Sequence, residues 1–305
     1  MSTTGAVPPR HLALALAIVA IWGTNFAIVR LALNDFPPLL FATLRFAFVL
    51  LPAAFFVPRP AVRWRTIAIY GGVLFAGQFG LMFYAMDGLI SAGLASLVIQ
   101  SQVFFTILLA VVLNGERLRP SEMISLLLAT SGMALLVARA DGGTTPIGLG
   151  MVIAAGLCWA TGNHMARTVD KSHVLGLTIW ACLFATPLLG VSALLIEGPT
   201  VIVDALTDAR PGAWAAVLWQ AIGNTLFGYG LWAWLLSRHS AATITPLALL
   251  VPVFGMGTAA IVLGEALPAW KLAAAGLVLA GLVVNIAASR RALTRQRDSA
   301  LGEPV

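Results

Sequence analysis

Apolar residues run along this chain in ten long blocks: 11–33, 37–57, 66–86, 91–113, 121–138, 147–168, 174–196, 212–236, 241–263 and 269–289. A helix over the first block, 23 residues at ~1.5 Å each, is ~34 Å long and crosses a ~30 Å hydrocarbon layer with some tilt. Most connections are short and rich in turn formers, as in "NDFPP" and "NGERLRP". The pattern therefore predicts an all-α polytopic membrane protein with ten transmembrane helices. Residues 290–305, "RRALTRQRDSALGEPV", form a polar tail that need not fold. Arg10 and His11 ahead of the first block suggest a signal peptide, but a block running to Leu33 exceeds an h-region and reads as a retained helix.

Composition removes the soluble classes. Only 10% of residues are charged and 60% are hydrophobic, whereas a soluble domain carries about 25% charge. The net charge of +6 raises nucleic acid as a partner, yet the arginines sit in short connections and the tail, so none is expected. The partner is the lipid bilayer. Of eighteen Lys and Arg, thirteen fall on the side of the N-terminus, Arg139, Arg210 and Lys271 on the other, and Arg30 and Arg45 within helices. That bias places both termini in the cytoplasm of a cell whose inner membrane the chain spans. Cys158 and Cys182 lie in apolar blocks and read as small buried hydrophobes, with no metal or cofactor expected.

The chain also repeats itself. "IWGTNFAIVR" at 21–30 and "CWATGNHMAR" at 158–167 align Trp22 with Trp159 and Arg30 with Arg167, 137 residues apart. Further along, "LNGE" ending at Glu116 matches "VLGE" ending at Glu265, and the same spacing of 149 pairs Ala92 with Ala241 and Gly132 with Gly281. A longer connection around 197–211 absorbs the difference. Five helices are thus written twice, over 11–139 and 147–289, and an odd number turns the second copy over. Inverted repeats of this kind build secondary transporters around a midplane site.

These pieces resemble the drug/metabolite transporter superfamily in its ten-helix form of two EamA-type units. The resemblance covers 11–289. It rests on "WGTN", on Arg45 early in the second helix, on the glutamates ending the fourth and ninth, and on the glycine-rich "LLLATSGMALLVA" and "LAAAGLVLAGLVV". Trp- and Gln-rich faces bring it nearest the YddG-type amino-acid exporters. The resemblance implies a basket of helices around a central cavity and export of aromatic and other neutral amino acids. One departure is Val103, which stands where the second copy has Pro252, so the fourth helix is expected to bend less than the ninth.

Polar residues within the blocks mark the candidate substrate site. Trp22 and Asn25 share a face of the first helix, and Trp159 and Asn163 lie one turn apart on the sixth with His164 alongside. Gln78 and Tyr84, Gln100 and Gln102, and Asn224, Tyr229 and Trp232 complete an apolar wall with a few amides and hydroxyls. Such a wall suits a small neutral metabolite, although these side chains also serve as helix–helix glue. Every carboxylate lies at a helix end or in a connection, which favours facilitated diffusion by alternating access; His164 is the one candidate proton carrier. His11, His173 and His239, at helix boundaries, are expected to be solvated. Arg45, about 12 Å down its helix, is either a structural arginine or a ligand for a substrate carboxylate.

The rivals are a proton-coupled drug or metabolite exporter, a flippase for lipid-linked cargo, a channel and a membrane enzyme. No GxSxG, HExxH or P-loop pattern supports the enzyme, and no ring of charge supports the channel. Small residues at helical spacing in the third and tenth helices fit a monomer or a weak homodimer equally.

Overall fold

The computed structural model describes residues 8–114, 120–139, 144–167, 169, 174–239 and 244–301. Expectations that fall on Glu116, Lys171, His173 and Ala241 lie outside them. The described residues hold helices and turns and no strand. Eight helices are long and apolar enough to cross a membrane: Pro9–Ala32, Pro38–Phe56, Trp64–Met86, Ala92–Leu113, Pro120–Ala138, Pro146–Ala166, Leu175–Ile196 and Ala269–Ala288. A shorter apolar helix covers Val251–Leu263.

In chain order we label α1 (Pro9–Ala32), α2 (Pro38–Phe56), α3 (Trp64–Met86), α4 (Ala92–Val98), α5 (Ser101–Asn114) and α6 (Pro120–Ala138). There follow α7 (Pro146–Arg167), α8 (Val174–Ile196), α9 (Pro199–Asp208), α10 (211–238), α11 (Val251–Leu263) and α12 (Ala269–Leu301). Prolines open several of them, where the missing N–H costs nothing and the fixed φ starts the first turn. The polar tail does not end the helix at 289, because α12 continues to Leu301.

Two helices widen midway into π turns, α3 over Gly71–Gly77 and α10 over Trp219–Phe227. The predicted span 212–236 is therefore an α–π–α composite rather than one regular helix. The span 91–113, expected to be the straighter one, is broken. Gln100, Gln102 and Val103 donate to the carbonyls three residues back, leaving α4 and α5 as separate pieces. No proline is needed for the break. Gly156 of α7 backs onto it so closely that a Cβ there would strike Ser101 Oγ and come within 3.3 Å of the Gln102 nitrogen. A shift of 149 residues carries Ile99 and Gln100 into the 3₁₀ turn Thr245–Leu250 that leads into α11.

Glycines let α6 and α12 pack closely along each other. A Cβ on Gly132 would lie 2.8 Å from Val278 and 2.9 Å from the Ala274 carbonyl, and one on Gly281 would lie 2.8 Å from the Ser125 carbonyl and 3.4 Å from the Ala129 nitrogen. The two contacts exchange under a shift of 149 residues, which carries Gly132 to Gly281 and Ala129 to Val278. Near the other end of the bundle a run of rings, Phe36, Phe41, Phe83, Phe79 and Phe46, joins α2 to α3 with centroids 5.4–6.3 Å apart. The outer surface is apolar: Phe55, Phe56, Leu195 and Ile261 are 80–86% exposed. Water would penalise that surface and hydrocarbon does not. The molecule is a multi-pass membrane protein.

Candidate functional site

Five buried polar side chains, Asn25, Arg45, Gln220, Asn224 and Thr225, meet at the π turn of α10. Apolar residues on either side hold this turn inside the bundle, where Gln220, Asn224 and Thr225 are all buried. Gln220 donates from Nε2 to Asn25 Oδ1 on α1 at 2.8 Å, and Asn224 donates from Nδ2 to Gln220 Oε1 at 3.1 Å. The Trp22 indole donates to the Asn224 carbonyl at 3.3 Å and packs against Tyr229 and Trp232, 5.5 and 5.1 Å between centroids. Arg45 of α2, fully buried, donates from Nη2 to Thr225 Oγ1 at 3.0 Å, and that hydroxyl passes its own proton to the Gln220 carbonyl at 2.8 Å. A π turn shifts the backbone hydrogen-bond register, which is how a carbonyl inside a helix becomes free for such partners.

Five of the predicted residues, Trp22, Asn25, Asn224, Tyr229 and Trp232, are thus brought together by α1 and α10. A second pair forms between α5 and α7, where Asn163 donates to Gln102 Oε1 at 3.3 Å. Trp159 and His164 are half-buried on the same helix as Asn163, and Gln100 is buried at the α4–α5 break. Gln78 is buried on α3, just past its π turn, and its Oε1 meets no partner among the described residues. Tyr84 stands apart: it is 38% exposed, in the last turns of α3. Sequence reasoning missed Gln220. Its signal was available, because it precedes Asn224 by one helical turn.

Tyr84 instead lines a vestibule of about 800 Å³ where α1, α3 and α8 end and α2 begins, with Asn34, Asp35, Asp87, Glu197, Asp204 and Asp208 around it. Asp35 accepts from Arg210 Nε at 2.8 Å and Nη2 at 2.7 Å, and these bonds hold its carboxyl below the usual carboxylate range while raising the guanidinium. Glu197 caps the start of α2, accepting from the Leu39 and Leu40 amides at 2.6 and 3.0 Å. Burial nevertheless pushes its carboxyl up, with the two backbone bonds opposing and Asp87 adding to the rise. Glu265 likewise caps α4, accepting from the Ala92 and Gly93 amides at 2.8 and 3.1 Å.

At the opposite end His11 and His239 are not simply solvated. Their Nδ1 and Nε2 lie 2.8 Å apart, and Trp234 meets His11 edge-on at 5.1 Å. This joins the start of α1 to the end of α10. Among the described residues no cluster of His, Cys, Asp and Glu could hold a metal ion, and both cysteines are free.

Comparison with known proteins gives two matches to one family within the chain. The EamA-like transporter family matches residues 10–138 and again 146–287. A probable amino-acid metabolite efflux pump of Salmonella typhimurium is 37% identical over 279 residues, 90% of this chain and 93% of that protein. Its namesake in Escherichia coli K12 is 35% identical over the same shares. A probable terminal-alkyne amino-acid exporter of Streptantibioticus cattleyicolor is 26% identical, across 94% and 95% of the two chains. One solved crystal structure, 22% identical, shares the fold at a TM-score of 0.61 over 92% of this chain and 97% of the other.

Proposed function

Because the chain belongs to the EamA-like transporter family, we propose that it exports small neutral metabolites, foremost aromatic and other neutral amino acids. The observation that carries this reading is the buried, uncharged amide chain Asn25–Gln220–Asn224 with Trp22, Tyr229 and Trp232 against it. Such a site offers both donors and acceptors to a zwitterion and flat apolar walls to its side chain. The names of the two efflux pumps at 37% and 35% identity support the same substrate class.

The mechanism we infer is alternating access between two inverted five-helix repeats, 11–139 and 147–289, with α10 and the 3₁₀–α11 run completing ten crossings. The reciprocal Gly132 and Gly281 contacts and the paired π turns of α3 and α10 support it. The arginine-rich connections argue for cytoplasmic termini in an inner membrane. In that orientation the acidic vestibule opens outward, and the His11–His239 and Trp22–Trp232 contacts close the cytoplasmic side. The described carboxylates sit at helix ends and in connections, so transport runs down the substrate gradient without a dedicated coupling acid.

The alternative is proton coupling through His164, favoured by its place beside the Asn163–Gln102 pair. A flippase for lipid-linked cargo is the other reading. Liposomes containing the protein and loaded with labelled threonine, methionine or phenylalanine should release the label with no ion or pH gradient. Release that requires a pH gradient and disappears in His164→Ala transfers the proposal to proton coupling. Absence of release under either condition removes amino acids as the cargo.

A further inference from the structure

Arg45 is the least reconciled group in the molecule. Its side chain is fully buried, Nη2 reaches Thr225, and Nε and Nη1 meet no hydrogen-bond partner among the described residues. The guanidinium lies over the Phe79 ring at 4.0 Å and within 5.2 Å of Phe46. Those rings cover its faces and leave N–H edges unanswered. Among the described residues no carboxylate forms an ion pair with it. A buried cation without an anion is strongly disfavoured unless something else arrives to balance it.

Unanswered acceptors lie beside the same residues. Asn224 Oδ1 and Gln78 Oε1 are buried without hydrogen-bond partners among the described residues. Asn224 adjoins Thr225, which Arg45 touches through its hydrogen bond, and Gln78 adjoins Phe79, on which Arg45 rests. Three helices therefore carry spare donors with a positive charge, on Arg45, and spare neutral carbonyl oxygens on the chain neighbours of the two residues that it touches. A ligand with a carboxylate and an ammonium on adjacent atoms answers both sets.

We propose that Arg45 is the carboxylate subsite of the transporter, with Asn224 and Gln78 receiving the α-ammonium group. This rests on the amino-acid reading above and sharpens it: the site selects α-amino acids over amines or amides with the same side chain.

The test compares phenylalanine with phenylalaninamide, which keeps the ammonium group and ring but lacks the carboxylate. Counterflow in proteoliposomes and thermal melting of the purified protein are read for wild type, Arg45→Lys and Arg45→Met. Wild type should favour the acid by about ten- to a hundredfold, the range for losing a hydrogen bond to a charged group. Arg45→Met should lose that preference, and Arg45→Lys should keep part of it. Without ligand, Arg45→Met should melt no lower than wild type, because an apolar stem of similar size replaces an unbalanced charge. A purely structural arginine would give the opposite, a lower melting point with the acid/amide ratio unmoved. Should Arg45→Met not fold, Arg45→Lys decides: a reduced acid/amide ratio supports the subsite and an unchanged ratio overturns it. Equal handling of acid and amide by wild type overturns the subsite and leaves amino-acid export standing. If neither compound moves or protects wild type, the export reading falls and the subsite with it.

Discussion

Gln220 is the residue through which the candidate site is held together. It gives one hydrogen bond to Asn25 and takes one from Asn224, all inside the bundle. Gln220→Ala would leave two buried amide groups unanswered at once, at about 1–3 kcal/mol each. The expected outcome is a lower melting temperature in detergent and a collapse of substrate flux, and a wild-type melting point would refute this account. Asn25 and Asn224 were legible in the sequence because an amide within an apolar block stands out. Gln220 was equally available, one turn before Asn224 on the same helix, and was passed over. Tyr84 was misplaced for another reason: spacing along a helix gives a face, not a depth, and Tyr84 lies two residues before the end of α3.

Among the elements, helix starts and stops followed the sequence closely, because prolines and turn formers act locally. The π turns and the α4–α5 break did not, because they answer to neighbours. Gly71–Gly77 is one turn of α3 that gives way where α8 presses against Gly71. The break at Ile99–Gln100 exists because Gly156 lets α7 approach it. Val103 in place of a proline was the wrong local feature to weigh. The glutamate before the last helix was legible as a repeated residue, but its task was not. Glu265 caps α4, drawn from the other half of the chain. Glu265→Gln keeps the shape and removes the charge at a helix N-terminus, so it should cost about 0.5–2 kcal/mol, read as a drop in melting temperature. Glu265→Asp, too short to reach both amides, should fall between the two.

Over the whole molecule, ten apolar blocks and a doubled pattern were enough to identify the class and the family, because a bilayer constrains length and composition so tightly. Tertiary charge pairing was out of reach. Asp35 and Arg210 are 175 positions apart, and only the fold makes them the clamp between α1 and α10. Asp35 has its carboxyl depressed in the folded state, so the unfolded chain binds its proton first. The clamp is therefore complete above the ordinary carboxylate range and is lost as pH falls through the folded value. Melting profiles between pH 7 and pH 3 should slope less in Asp35→Asn than in wild type, and coinciding slopes would remove the clamp from the account. The close seam of α6 with α12 carries a further consequence. These close contacts join pieces that lie on opposite sides of residues 140–143, so peptide continuity there is expected to be dispensable for assembly. A gene split at that connection and expressed as two polypeptides should yield a pair that copurifies through the seam. Gly281→Leu in one of them should part the two.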